Sequence, residues 1–165
     1  MLPDPLHPAV VHLPIALAVL LPLSAIIGLV AIHKGAGRAY AWGVPLTLAV
    51  LLTGSAWMAI QTGEADEDRV EAVVREAAIH EHEEAAERFL LMGGVVTLLT
   101  AVGLTKGTVG SAARLVATAG TLVVLAAGVD VGSKGGELVY VHGAASAFAS
   151  DAAPPDGGRG PETPH

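Results

Sequence analysis

Between Asp4 and Lys34 the chain carries no carboxylate, lysine or arginine, and from Ala9 to Ile32 it is dominated by Leu, Val, Ile and Ala. A run of about 20 apolar residues is what crosses roughly 30 Å of hydrocarbon as a helix. Three further stretches have the same character, roughly Ala41–Ile60, Ala85–Leu104 and Ala112–Val131. The expected fold is therefore all-α, an integral membrane four-helix bundle. Composition agrees: 15% of the 165 residues are charged and 52% are hydrophobic, against about 25% charged in a typical soluble domain. No basic n-region precedes the first run, so it reads as a retained span rather than a cleaved leader.

Proline and tryptophan positions add detail. Pro3, Pro5 and Pro8 suggest a stiff extended lead-in, and Pro22 suggests a kink inside the first span. Trp42 and Trp57 stand near opposite ends of the second span, as interfacial indoles do. Small residues at Gly43, Gly54, Ser55, Gly93, Gly94, Gly120 and Gly128 would let helices approach closely in lipid.

Charge orients the bundle. The two short connections and their flanks hold Lys34, Arg38, Lys106 and Arg114, a balance of +4 with no acid. All 16 acidic residues lie at the other end with five basic ones, a balance of −11. Short loops rich in Lys and Arg stay cytoplasmic. The expectation is a multi-pass protein of a bacterial inner membrane with both termini periplasmic.

The acidic connection between the second and third spans has its own order. Thr62 and Asp66 are candidate N-caps, with Glu67 and Asp68 in the first turn. Val70, Val73, Val74, Ala77 and Ala78 then make one apolar stripe. This predicts an extramembrane acidic helical extension from about Asp66, leading into the third span and either lying solvated on the headgroups or docking a basic partner. After the fourth span, Gly132, Gly135 and Gly136 suggest a break. Residues 1–143 read as the transmembrane domain, and residues 144–165, rich in Ala, Pro and Gly, as a disordered tail.

The histidines carry what chemistry the sequence offers. With this topology His7, His12, His80, His82 and His142 share the acidic side, and His33 stands at the basic one. At 1.5 Å per residue, His12 lies about 33 Å from the level of Lys34, and His82 about 36 Å from that of Lys106. His142 would lie about 42 Å from Arg114 on an unbroken helix. Imidazoles from different helices at one depth suit haem iron in a four-helix bundle. The absence of Cys excludes thiolate ligands and covalent haem attachment through C-x-x-C-H. A b-type haem remains open, with His12 and His82 as axial ligands and His142 as an alternative or neighbouring group. A zinc or iron ion on the same histidines with Glu83, Glu84 and His80 is open as well. So is a purely structural role, hydrogen-bonding across helices. His7, ahead of Pro8, reads as structural, and His33 as an interfacial, snorkelling residue.

The HPAVVHLPIAL segment at His7–Leu17, the His82-Glu83 pair and GGELVYVHG before Ala144 resemble the bacterial membrane family known as domain of unknown function 2231. The resemblance runs from about Leu6 to Gly143. That family has no settled activity. Its members are similar to b-type cytochrome membrane domains, and some are joined to Rieske or cytochrome c modules. The resemblance thus implies electron transfer and points to His12, His82 and His142, with His7 as the other histidine of the first motif. Asp130 and Lys134 depart from the expected apolar pattern and suggest an ion pair at i, i+4. The partners implied are membrane lipid and a redox partner or larger complex on the periplasmic side, with no nucleic acid. No nucleophile–base constellation or phosphate loop points to catalysis on an organic substrate.

Overall fold

The computed structural model describes residues 5–149. It is all-helical among those residues: α1 (His7–Val10), α2 (His12–His33), α3 (Arg38–Glu71), α4 (Glu76–Val102), α5 (Gly107–Tyr140) and a 3-10 turn (Ala144–Phe148). Helix is the form that pairs every backbone group within one segment, which hydrocarbon requires. Four stretches are long and apolar enough to cross a membrane: His7–His33, Arg38–Glu71, Glu76–Val102 and Gly107–Tyr140. α2 packs on α3, α3 on α4, α4 on α5, and α5 back on α2, closing a four-helix ring.

The core is layered. Its middle holds Leu17, Leu21, Leu52, Phe89, Val96 and Val124 among small alanines. Glycines bring the helices together there. A side chain at Gly120 would strike Val96, and one at Gly128 would crowd Phe89. Thr53 and Thr97 join α3 to α4 through their hydroxyls at 3.0 Å, and Thr97 also donates to the Ala49 carbonyl. Outward, residues such as Ile27, Leu91 and Leu98 are about 70% exposed. On a soluble monomer such a band would be an interaction patch; here it faces lipid.

The basic end is closed by side chains from both neighbours of α4. Trp42 of α3 is fully buried and donates its indole N–H to the Thr100 carbonyl at 2.9 Å. Arg38 donates Nε–H to the Leu104 carbonyl at 2.9 Å. Arg114 of α5 is buried and donates to the Gly103 carbonyl and to Ser111. The carbonyls at a helix C-terminus lack intrahelical partners and carry partial negative charge, so cations here satisfy both needs. Trp42 is thus a core residue rather than the interfacial indole expected from its position; Trp57, 56% exposed, is the outward one.

Three other expectations are corrected. His7 is helical rather than extended, because Pro8 lies in the first turn, where its missing N–H costs nothing. The acidic extension does not start at Asp66: α3 runs through Thr62 and Asp66 to Glu71, and the chain breaks at 72–75 before α4. α3 and α4 therefore share the extension. α5 continues through Gly132, Gly135 and Gly136 and ends at Tyr140. The turn comes at Gly143, whose φ of 74° suits glycine. It lets the Ala144–Phe148 turn fold back, with Ala144 buried beside Val74 and Ile79. The tail from 150 onward lies outside the described residues.

Candidate functional site

At the acidic end, all four long spans meet at two histidines. His7 donates Nδ1–H to the Ala59 carbonyl of α3 at 2.8 Å, with the Thr62 hydroxyl at 3.3 Å. Its ring lies over Gly63, where a Cβ would come within 3.3 Å of it. His82 of α4 stands against α5 in the same way: a Cβ at Gly135 would come 3.1 Å from its Cε1. The two rings meet edge to face, centroids 6.3 Å apart and planes at 89°. Ala85 and Phe89, on the same face of α4 as His82, are buried below it.

The hydrogen-bond tally is uneven. His82 Nδ1 is buried and has no partner. An orphaned buried imidazole nitrogen is costly unless something binds it. His7 has one nitrogen committed to a carbonyl, and Nε2 makes no hydrogen bond among the described residues. This is the arrangement of metal-ligating histidines, which give their other N–H to a backbone carbonyl or carboxylate.

The remaining expected residues are not in this node. His12 is exposed on the outer face of α2. Five residues from His7, it is turned about 140° around the helix axis, so the two histidines of the first motif cannot both face inward. His80 is exposed and lies 3.4 Å from Glu84 and 3.9 Å from Glu83, on the wet side of α4. His142 lines a separate small polar cavity with Glu81, Lys134 and Glu137. His33 is exposed at the basic end. The Lys134–Asp130 pair forms at 3.1 Å. Among the described residues, no three His, Asp or Glu side chains converge as a metal-holding group. Sequence reasoning missed Ala59, Thr62 and Gly63 as the seat of His7. Thr62 gave a signal of another kind, because a small hydroxyl residue inside a helix reads as a cap.

Four apolar spans closed around an imidazole pair define a multi-pass α-helical membrane protein. The chain belongs to the family described as Predicted membrane protein (DUF2231), which matches residues 3–147. Comparison with curated proteins and with solved structures gave no match.

Proposed function

We propose that this chain is a membrane-embedded b-haem-binding electron-transfer subunit, with His7 and His82 as the ligands of the iron. The observation that carries the reading is the buried, unpartnered Nδ1 of His82 beside the His7 ring. Metal–imidazole bonds are about 2.0–2.1 Å long. Rings 6.3 Å apart are close enough for one metal atom to reach a nitrogen of each. A zinc site takes three or four protein ligands, whereas a haem brings its own ring nitrogens and asks the protein for axial ligands only. Two imidazoles without a third ligand therefore favour haem over a bare ion with Glu83, Glu84 or His80. The core below is filled by Leu17, Ala18 and Phe89, so the group belongs at the headgroup level of the acidic end. Haem would supply one-electron chemistry. The chain's own residues would bind and orient it, with the Ala59 carbonyl orienting His7 and the bare backbone of Gly135 seating His82. In this reading the acidic end faces the periplasm of a bacterial inner membrane, where a basic redox partner or larger complex docks on it.

An absorbance spectrum of the purified protein tests this. A Soret band with split visible bands after dithionite is expected. His7→Ala and His82→Ala should lose it, while His12→Ala and His142→Ala keep it. No band in the wild type, with stoichiometric zinc or iron by elemental analysis, selects the ion. No band and no metal selects a structural edge-to-face contact. A band lost in His12→Ala but kept in His7→Ala reassigns the ligand to His12.

A further inference from the structure

Away from the histidines, an open groove of about 660 Å³ runs along the lipid-facing side of α3 and α4. Its walls are Leu90, Leu91, Val95 and Leu98, with an open notch at Gly94. At its floor the hydroxyls of Thr53 and Thr97 bond to each other and to backbone carbonyls. They offer the groove methyl groups, and the lining is almost wholly apolar. A lining of this kind suits hydrocarbon.

Length says which kind. From Glu87 to Leu98 α4 rises about 16 Å, about half of a 30 Å hydrocarbon slab. That is one leaflet, the reach of a single acyl chain. Charge says which head group. Glu87 stands at the mouth, exposed and without an ion pair among the described residues. The next residue, Arg88, is engaged by Glu84. Glu83, one turn before Glu87 on α4, feels the negative charge of Glu87, Glu64 and Glu67. An anionic head group is repelled there, and an ammonium is attracted.

We infer that the groove holds one acyl chain of an amine-headed phospholipid from the leaflet on the acidic side, its ammonium against Glu87. This site is independent of the histidine pair and stands whether or not haem binds.

The test is lipid retention. The full-length protein is reconstituted with equal amounts of phosphatidylethanolamine and phosphatidylglycerol, extracted in mild detergent, and its bound lipid is measured by native mass spectrometry. The wild type should retain phosphatidylethanolamine over phosphatidylglycerol by about threefold, the scale of a solvent-exposed ion pair. Glu87→Gln should abolish the preference while keeping bound lipid. Gly94→Leu should lose both lipids, and it should fold, because nothing lies within 4 Å of a Cβ there; its thermal melting checks this. Equal retention in the wild type, or a preference that survives Glu87→Gln, overturns the proposal. So does lipid unchanged in a folded Gly94→Leu. A second copy in the groove would overturn it too. It would show as efficient disulfide dimers of Leu91→Cys, a clean probe because the chain has no native cysteine.

Discussion

His82 rests its imidazole on the bare backbone of Gly135, with 3.1 Å between its Cε1 and the point where a Cβ would stand. The ring is held in place by the absence of a side chain on the facing helix, and that makes the position of His82 testable without changing it.

Gly135→Val should push the ring aside. Overpacking of this kind costs about 1–3 kcal/mol. Gly136→Val is the control, because it adds the same side chain to the same helix where nothing lies within 4 Å. Thermal melting in detergent should show Gly135→Val clearly the less stable. Any haem spectrum should weaken in that variant alone. Equal melting of the two would mean that His82 moves freely.

The basic end gives a second contrast. A Cβ on Gly103 would meet Trp42 Nε1 and Arg114 Cγ at less than 3.0 Å. Gly103→Ala should thus destabilise by about 1–3 kcal/mol, breaking the hydrogen bonds that close α4. Gly54→Ala, facing open space, should be neutral or slightly stabilising, because alanine favours helix over glycine. Melting curves of the two variants decide it.

How much of this was legible beforehand follows from what lipid hides. The four spans, and the side on which the histidines gather, were open to reading because hydrocarbon forbids charge. Which face of the first span turns inward was not. Leu13 and Ile15 face out and Leu17 faces in, all equally apolar, so nothing in the residues marks the core side. With His7 and His12 about 140° apart, apolarity alone could not say which of the two turns toward the bundle. Trp42 was obscure for a related reason. Its burial depends on the Thr100 carbonyl and the notches at Gly28 and Gly103, all distant in sequence. The break at 72–75 was masked by the regular valine–alanine stripe. Val70, Val74 and Ala78 do pack together with Ile79, but around a turn instead of along one helix.

Topology has a direct measurement. A reporter active only in the periplasm, fused after Ala149, should be active, and the same reporter at Gly35 should be silent. The motive is the +4 balance of the short loops against −11 at the other end. The reverse pattern would turn the histidine pair toward the cytoplasm.

Docking on the acidic end should be sensitive to salt. Exposed charges are screened over about 8–10 Å at physiological ionic strength. Capture of a basic soluble partner should therefore weaken between low and high salt. Capture that salt leaves unchanged would rule out an electrostatic platform.

The closure around Thr100, Gly103 and Leu104 also bears on how the chain is made. Those carbonyls are met by Trp42 and Arg38 from the helix before α4, and by Arg114 from the helix after it. During synthesis α4 leaves the insertion machinery with its first two acceptors already provided for and the third still wanting. Only when the last span arrives can the guanidinium of Arg114 leave water for a partnered place. The Gly103 carbonyl thus has its side-chain partner only once α5 is in place.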